Sequence, residues 1–216
     1  MNLKEHVMDL LQQLGWRYAV KKFDPERVIA AEHLEKILEA ARLAPSAFGL
    51  QPYRLLVIAD KQVREALVEH SMHQDKVLNS SHLLVFAIRR EINDADIEQY
   101  LQLIAGTRDA PRENLAGLER ILREFIGGMS PENYRNWASR QAYLALGNLL
   151  TACALLQVDA CPMEGFVPAA YDRVLELDQI GLAATVIATL GYRAADDPYA
   201  RLRKVRMPKE EFVIRI

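Results

Sequence analysis

Apolar residues recur every three or four positions in several stretches of this chain, and alternate or run together in others. Leu3, Val7, Leu10, Leu11 and Leu14 keep helical spacing until Gly15. Leu34, Ile37, Leu38 and Ala41 mark a second helix. A charged helix is expected from about Lys61 to His70, and Asn93 to Gly127 is polar and helical, with a break near Thr107 to Pro111. Pro131 is placed to open a long helix that ends near Gln157. LLVIA from Leu55 and LLVFAI from Leu83 are short apolar runs of buried-strand type, and a brief VDA strand precedes Cys161. LAATVIATLGY and the final EFVIRI are strand-like as well. Helices and strands mingle without repeat, low-complexity tract or linker, which predicts one α+β domain over residues 1–216.

From Gln141 to Val158 no charged residue appears, a length at the lower limit for a membrane span. Gln141, Asn148, Thr151 and Gln157 dilute it, so the reading is a buried helix in a fold centre or a subunit interface. Composition supports a globular chain: 216 residues, 50% apolar, 26% charged. A net charge of −2 argues against a surface built as a whole for nucleic acid. Cys153 and Cys161 lie too far apart for a C-x-x-C pair and are read as small buried hydrophobes. The first fifteen residues mix Lys, Glu, His and Asp and lack the layout of a secretion signal, so a cytoplasmic protein is expected.

Nucleotide and hydrolase signatures are absent: G-x-G-x-x-G, the P-loop, H-E-x-x-H and G-x-S-x-G do not occur. His70 and His73 are three apart but have no acidic or thiol partner nearby in sequence, so no metal site is expected. What remains are two loops and three groups of cations. APSAFGLQP, Ala44 to Pro52, holds Ser46, Gly49 and Gln51 between two prolines where a helix hands over to a strand. CPMEGF, Cys161 to Phe166, follows the uncharged helix, and Gly165 permits close approach of a ligand to backbone. Arg17 and Lys21, then Arg201, Arg203, Lys204 and Arg206, and the separate Lys76 could be solvated charge or could hold a phosphate dianion.

Together these pieces resemble the FMN-dependent nitroreductase family. The helix into APSAFGLQP resembles its Pro-Ser…Gln-Pro segment, and Arg17, Ala19 and Lys21 fall on its Arg-x-Ser-x-Lys pattern. PMEG matches the turn under the flavin ring, and KVR, Lys204 to Arg206, matches the C-terminal phosphate clamp. The order runs from about Trp16 to Pro208.

The resemblance implies an α+β fold with a central, mostly antiparallel sheet flanked by helices. It also implies an intertwined homodimer with tightly bound FMN at the interface. The uncharged helix would then be interface core, and EFVIRI would cross to the partner's sheet. Arg17, Lys204 and Arg206 would hold the phosphate, with Lys21 at the pyrimidine edge and Lys76 at the polar edge. Pro162, Met163, Glu164 and Gly165 would form the turn under the ring, the last two offering backbone N–H groups. Pro45, Ser46, Ala47 and Gly49 would reach over from the other subunit. Lys21 and Glu164 are the residues assigned to catalysis. Phe125, or a neighbour in LREFIGGM, is a candidate for the acceptor pocket or for an ordinary packing role.

Ala19, Ala47, Gly49 and His73 depart from the family, which often has Ser, Ser, Asn and Asn there. The implied activity is ping-pong hydride transfer from NADH or NADPH to nitroaromatics, quinones or similar acceptors. Flavin reduction, enone reduction or reductive dehalogenation, a flavin carrier without turnover, and an anion-binding or nucleic-acid module using RLRKVR are the alternatives.

Overall fold

The computed structural model describes residues 3–216, with side chains from Leu10 onward. Helices α1 (Leu3–Trp16) and α2 (Ala31–Arg42) lead to strand β1 (Tyr53–Ile58), followed by α3 (Lys61–Val68), α4 (Lys76–Asn79) and β2 (His82–Arg89). Next come α5 (Asp94–Thr107), α6 (Ala116–Gly127), α7 (Pro131–Leu155) and β3 (Asp159–Met163). The chain finishes with α8 (Pro168–Val174), β4 (Leu182–Gly191) and α9 (Lys209–Phe212). The expected helices and breaks therefore form, while α8, opened by Pro168, carried no signal that was read from the sequence.

The strands lie in the order β1-β2-β4-β3, and every pair is antiparallel. β2 and β4 are central and buried on both faces, which explains why they are runs rather than alternations. Period two still sorts their side chains. Leu84, Phe86 and Ile88 point to a core shared with α2 and α7, while Leu83, Val85 and Ala87 point to a second core with Phe23, Leu67 and Tyr171. A bulge at Phe86/Ala87 skips Thr185, whose hydroxyl instead lies 2.8 Å from that of Ser139 on α7.

Helix starts follow local chemistry. Asp60 accepts from the Gln62 and Val63 N–H groups, Asn93 and Asp96 form a reciprocal capping box, and Ser130 precedes Pro131 at the start of α7. Helices α5 and α6 form a hairpin with its own small core of Ile97, Leu101, Ile104 and Leu122. Arg112 ties the hairpin together, bonding Glu98 and, at 2.7 Å, Glu119.

Two expectations are met only in part by the single chain. Helix α7 is buried on one face only: Ala142, Ala145, Leu149 and Cys153 face the sheet, whereas Tyr143, Leu144 and Leu155 are 39–48% exposed. Among the described residues that second face stays open at Tyr143, Leu144 and Leu155. Among the described residues no helix is long and apolar enough to cross a membrane. EFVIRI is not a strand within this chain: Lys209–Phe212 makes a helical turn and residues 213–216 run on with no ladder partner among the described residues.

Arg193, just after β4, closes the end of the sheet. It meets the buried carboxylate of Asp159 through its Nε (2.9 and 3.0 Å) and its backbone N–H (2.7 Å). Replacing Asp159 with Ala leaves that guanidinium without its counter-charge. The expected cost is about 3 kcal/mol, measured as a lower urea midpoint.

Candidate functional site

Residues 17–23 run along the outer edge of β3, where Ala19 makes a parallel bridge to Ala160. Arg193 fixes the entry to this segment by stacking on Trp16 (4.2 Å) and Tyr18 (4.5 Å). The segment after β4 then returns across it. Asp197 is the join: its buried carboxylate accepts from the Tyr18 hydroxyl (3.0 Å) and from the backbone N–H groups of Lys21 (2.9 Å), Lys22 (3.2 Å) and Tyr199 (2.9 Å). Sequence reasoning passed over it because RAADDPYA looks like an ordinary charged loop. The Asp-Pro step was the available signal, since such an Asp commonly bonds the backbone two residues on.

This join creates a cavity of about 620 Å³ whose walls include Arg17, Ala19, Lys21, Lys204 and Arg206. Two segments nearly the whole chain apart thus deliver their cations to one place. Lys204 Nζ donates to the carbonyls of Leu14 and Arg17, and Lys21 Nζ lies 5.5 Å from the centre of the Tyr199 ring. Burial and the neighbouring Arg206 push the Arg17 guanidinium below its ordinary pKa. Burial, Arg17 and Arg206 do the same to Lys204. Among the described residues no carboxylate pairs with Arg17, Lys204 or Arg206. Mutually repelling cations in a concave site suit a ligand that brings its own negative charge. A second cavity, of about 630 Å³ and lined by Arg54, Arg89 and Arg90, differs in this respect. There Arg89 is paired with Asp96, and Arg90 with Asp172 and Asp178, while Arg54 donates to the Tyr53 carbonyl at 2.9 Å.

The turn after β3 is braced by residues 70–74. Gln74 Nε2 donates to the Gly165 carbonyl at 3.0 Å, and Val167 N–H to the His70 carbonyl at 2.8 Å. A Cβ on Gly165 would sit 3.2 Å from Gln74 Nε2 and 3.3 Å from Met72 Sδ, so any side chain there would push the ends of both back by a few tenths of an ångström. Neither Glu164 nor Gly165 uses its backbone N–H in a hydrogen bond among the described residues. Pro162, Met163 and Glu164 line a groove of about 540 Å³ against α7. His73 is exposed with φ +52°, and Lys76 is buried with Nζ 3.4 Å from Cys161 Sγ. Both cysteines are free and buried.

The Pro45–Gly49 loop lies elsewhere, against α7 and α5, and does not line the cation cavity. Ala47 N–H donates to Gln141 Oε1 at 2.8 Å, and Ser46 Oγ accepts from Gln51 N–H at 3.0 Å. Tyr100 hydroxyl donates to the Phe48 carbonyl. Phe48 and Gly49 both have positive φ (57° and 76°), and a Cβ at Gly49 would fall 2.5 Å from the Tyr100 hydroxyl. Glycine at this position therefore has a structural reason. Phe48 heads a row of rings, packing edge-on against Phe125 at 5.1 Å, which in turn packs on Trp137 at 5.6 Å.

A sequence model described as the Nitroreductase family matches residues 14–192. The chain belongs to the nitroreductase family. A Staphylococcus haemolyticus protein named for NAD(P)H nitroreductase activity is 33% identical over 94% of this chain and 95% of its own length. A nitroreductase-named structure from Bacillus subtilis superposes with a TM-score of 0.86 at 25% identity, covering 98% of this chain and all of that one. A family structure from Exiguobacterium sibiricum, solved with FMN, has a TM-score of 0.80 at 19% identity over 97% of this chain and 96% of its own.

Although burial opposes it, the N–H groups of Tyr199, Lys21 and Lys22 and the Tyr18 hydroxyl hold Asp197 below the ordinary carboxylate pKa. A depressed acid stabilises the fold above its unfolded pKa of about 3.9 and loses that contribution as pH falls through the folded value. Asp197→Asn should lower stability by about 2 kcal/mol at neutral pH. Urea midpoints of the two proteins should converge below about pH 4.

Proposed function

We propose that this chain is an FMN-dependent NAD(P)H oxidoreductase that reduces nitroaromatics, quinones or related acceptors. Residues 1–216 would act as one flavin-binding domain within a homodimer. One observation carries the reading: Arg17, Lys204 and Arg206 converge in a cavity without a carboxylate partner. That donor set fits the phosphate of FMN. Three charge-assisted contacts at about 1.5–3 kcal/mol each amount to roughly 5–9 kcal/mol before desolvation, comparable with the ~8 kcal/mol of micromolar affinity. The named activity of the Staphylococcus haemolyticus relative and the FMN in the Exiguobacterium sibiricum structure support the same cofactor and donor.

When bound, FMN supplies the two-electron chemistry, accepting hydride from NADH or NADPH and yielding it to the acceptor. The chain's own groups bind and orient. Arg17, Lys204 and Arg206 hold the phosphate; Lys21 sets positive charge at the pyrimidine edge, the electrostatic device that favours added electrons. The unused N–H groups of Glu164 and Gly165 are hydrogen-bond donors toward the ring. Lys76 brings a cation that pairs with no carboxylate among the described residues. Pro45, Ser46, Ala47, Gly49 and His73 complete the enclosure.

Homodimer formation gives the uncovered surfaces a partner. The open face of α7 carries Tyr143, Leu144 and Leu155, and the tail carries Phe212, Ile214 and Ile216 at 76–121% exposure. β1 has a free edge, since among the described residues it pairs only with β2. A tail from a second copy added there satisfies both. The ring row of Phe48, Phe125 and Trp137 favours flat aromatic acceptors over small aliphatic ones.

Purified protein should be yellow, release FMN on denaturation, and oxidise NADH or NADPH when a quinone is added. A yellow protein without turnover would identify a carrier, and a colourless one that takes up no FMN would overturn the reading. Arg17→Ala and Arg206→Ala should each weaken FMN binding about 10- to 100-fold, one charge-assisted contact's worth, as read by fluorescence titration of the apoprotein.

A further inference from the structure

Tyr143 and Glu164 meet where α7 passes the turn after β3. The Tyr143 hydroxyl donates to Glu164 Oε1. Both side chains line the groove of about 540 Å³, whose remaining walls include Leu146, Gly147, Leu150 and Val186. Glu164 is the one charged residue on those walls, and no Lys or Arg is paired with it among the described residues. A carboxylate at an apolar groove is free to turn into it unless something holds it aside.

The phenol is suited to do so. Burial, then the bond to Glu164 and its negative charge, push Tyr143 up to about 12, so its hydroxyl keeps its proton throughout the neutral range. Its donor role is therefore constant. Tyr143 sits on a long helix whose opposite face packs into the sheet, so the hydroxyl has a rigid base. Glu164 follows a strand but lies in a turn, and its exposed side chain has more freedom.

We infer that Tyr143 is a positioning residue that pins the Glu164 carboxylate against α7 and keeps its charge away from the flavin. The inference rests on the reading of the 162–165 turn as part of the FMN site. Negative charge close to a ring that gains electrons disfavours reduction, more strongly where water is excluded. A pinned carboxylate thus lets the turn keep an acidic residue without lowering the reduction potential. The side chain of Glu164 acts through its charge, separately from the backbone N–H groups of the same turn.

The test is the midpoint potential of bound FMN, measured by spectroelectrochemistry in wild-type protein, Tyr143→Phe, Glu164→Gln and the double variant. Tyr143→Phe should shift the potential to more negative values, and Glu164→Gln to more positive ones. In the Glu164→Gln background, Tyr143→Phe should produce no further shift, the coupling expected of two groups acting through one contact. Glu164→Asp, which keeps the charge but falls short of the phenol, should shift the potential in the same direction as Tyr143→Phe and serves if that variant folds poorly. An unchanged potential in both Tyr143→Phe and Glu164→Asp, or an equal shift in both backgrounds, overturns the role of Tyr143. Failure of the wild-type protein to take up FMN overturns this inference together with the functional reading, and is distinguished by occurring before any potential can be measured.

Discussion

The carboxylate of Asp197 reaches across 179 positions of sequence to Tyr18 and across 176 to Lys21. Everything that gives the cation cavity its character depends on that link. Arg17, Ala19 and Lys21 belong to the segment beside β3, while Lys204 and Arg206 belong to the returning arm. Left to themselves these cations would separate, because each raises the cost of charging its neighbours. Asp197 answers with four hydrogen bonds directed at fixed backbone and a phenol, and the Asp159–Arg193 pair anchors the same region to the sheet. The repulsion is thereby stored in the folded chain. A dianion entering the cavity meets groups already gathered, with little left to order on binding.

Much of the framework was legible because burial imposes periodicity. α2 follows Ile37 and Ala41, and β2 and β4 follow the unbroken apolar runs of strands covered on both faces. The gathering of Arg17, Lys21, Lys204 and Arg206 was also expected, from motif order and resemblance. What stayed hidden depended on contacts outside any local pattern. EFVIRI alternates like a strand, but a strand needs a neighbour and none of the described residues offers one. The long uncharged helix could not reveal that only half its surface meets its own sheet. Asp197 and Arg193 drew no notice in the sequence, because their partners lie far away along the chain.

Departures from the family pattern take on meaning in the same way. Gly49 does not merely lack an Asn side chain: its backbone is left-handed and the Tyr100 hydroxyl fills the space beside it. Phe48, next to it, holds a conformation that a bulky residue adopts only at a cost. The hydrogen bonds from Tyr100 and Gln141 hold the loop in this state, which turns an aromatic ring toward Phe125. Strain of this kind at an exposed ring is spent on placement, not on stability.

The α5–α6 hairpin has its own apolar cluster and internal ion pairs with Arg112, and it meets the sheet layers mainly through Ile126 and the Asp96–Arg89 pair. Residues within it can change together without asking Leu84 or Val85 to repack. Selection acting on this appendage is thus largely uncoupled from selection on the scaffold. A lineage could remodel the region around Phe125 for new chemistry while the sheet and the cation cavity stay as they are.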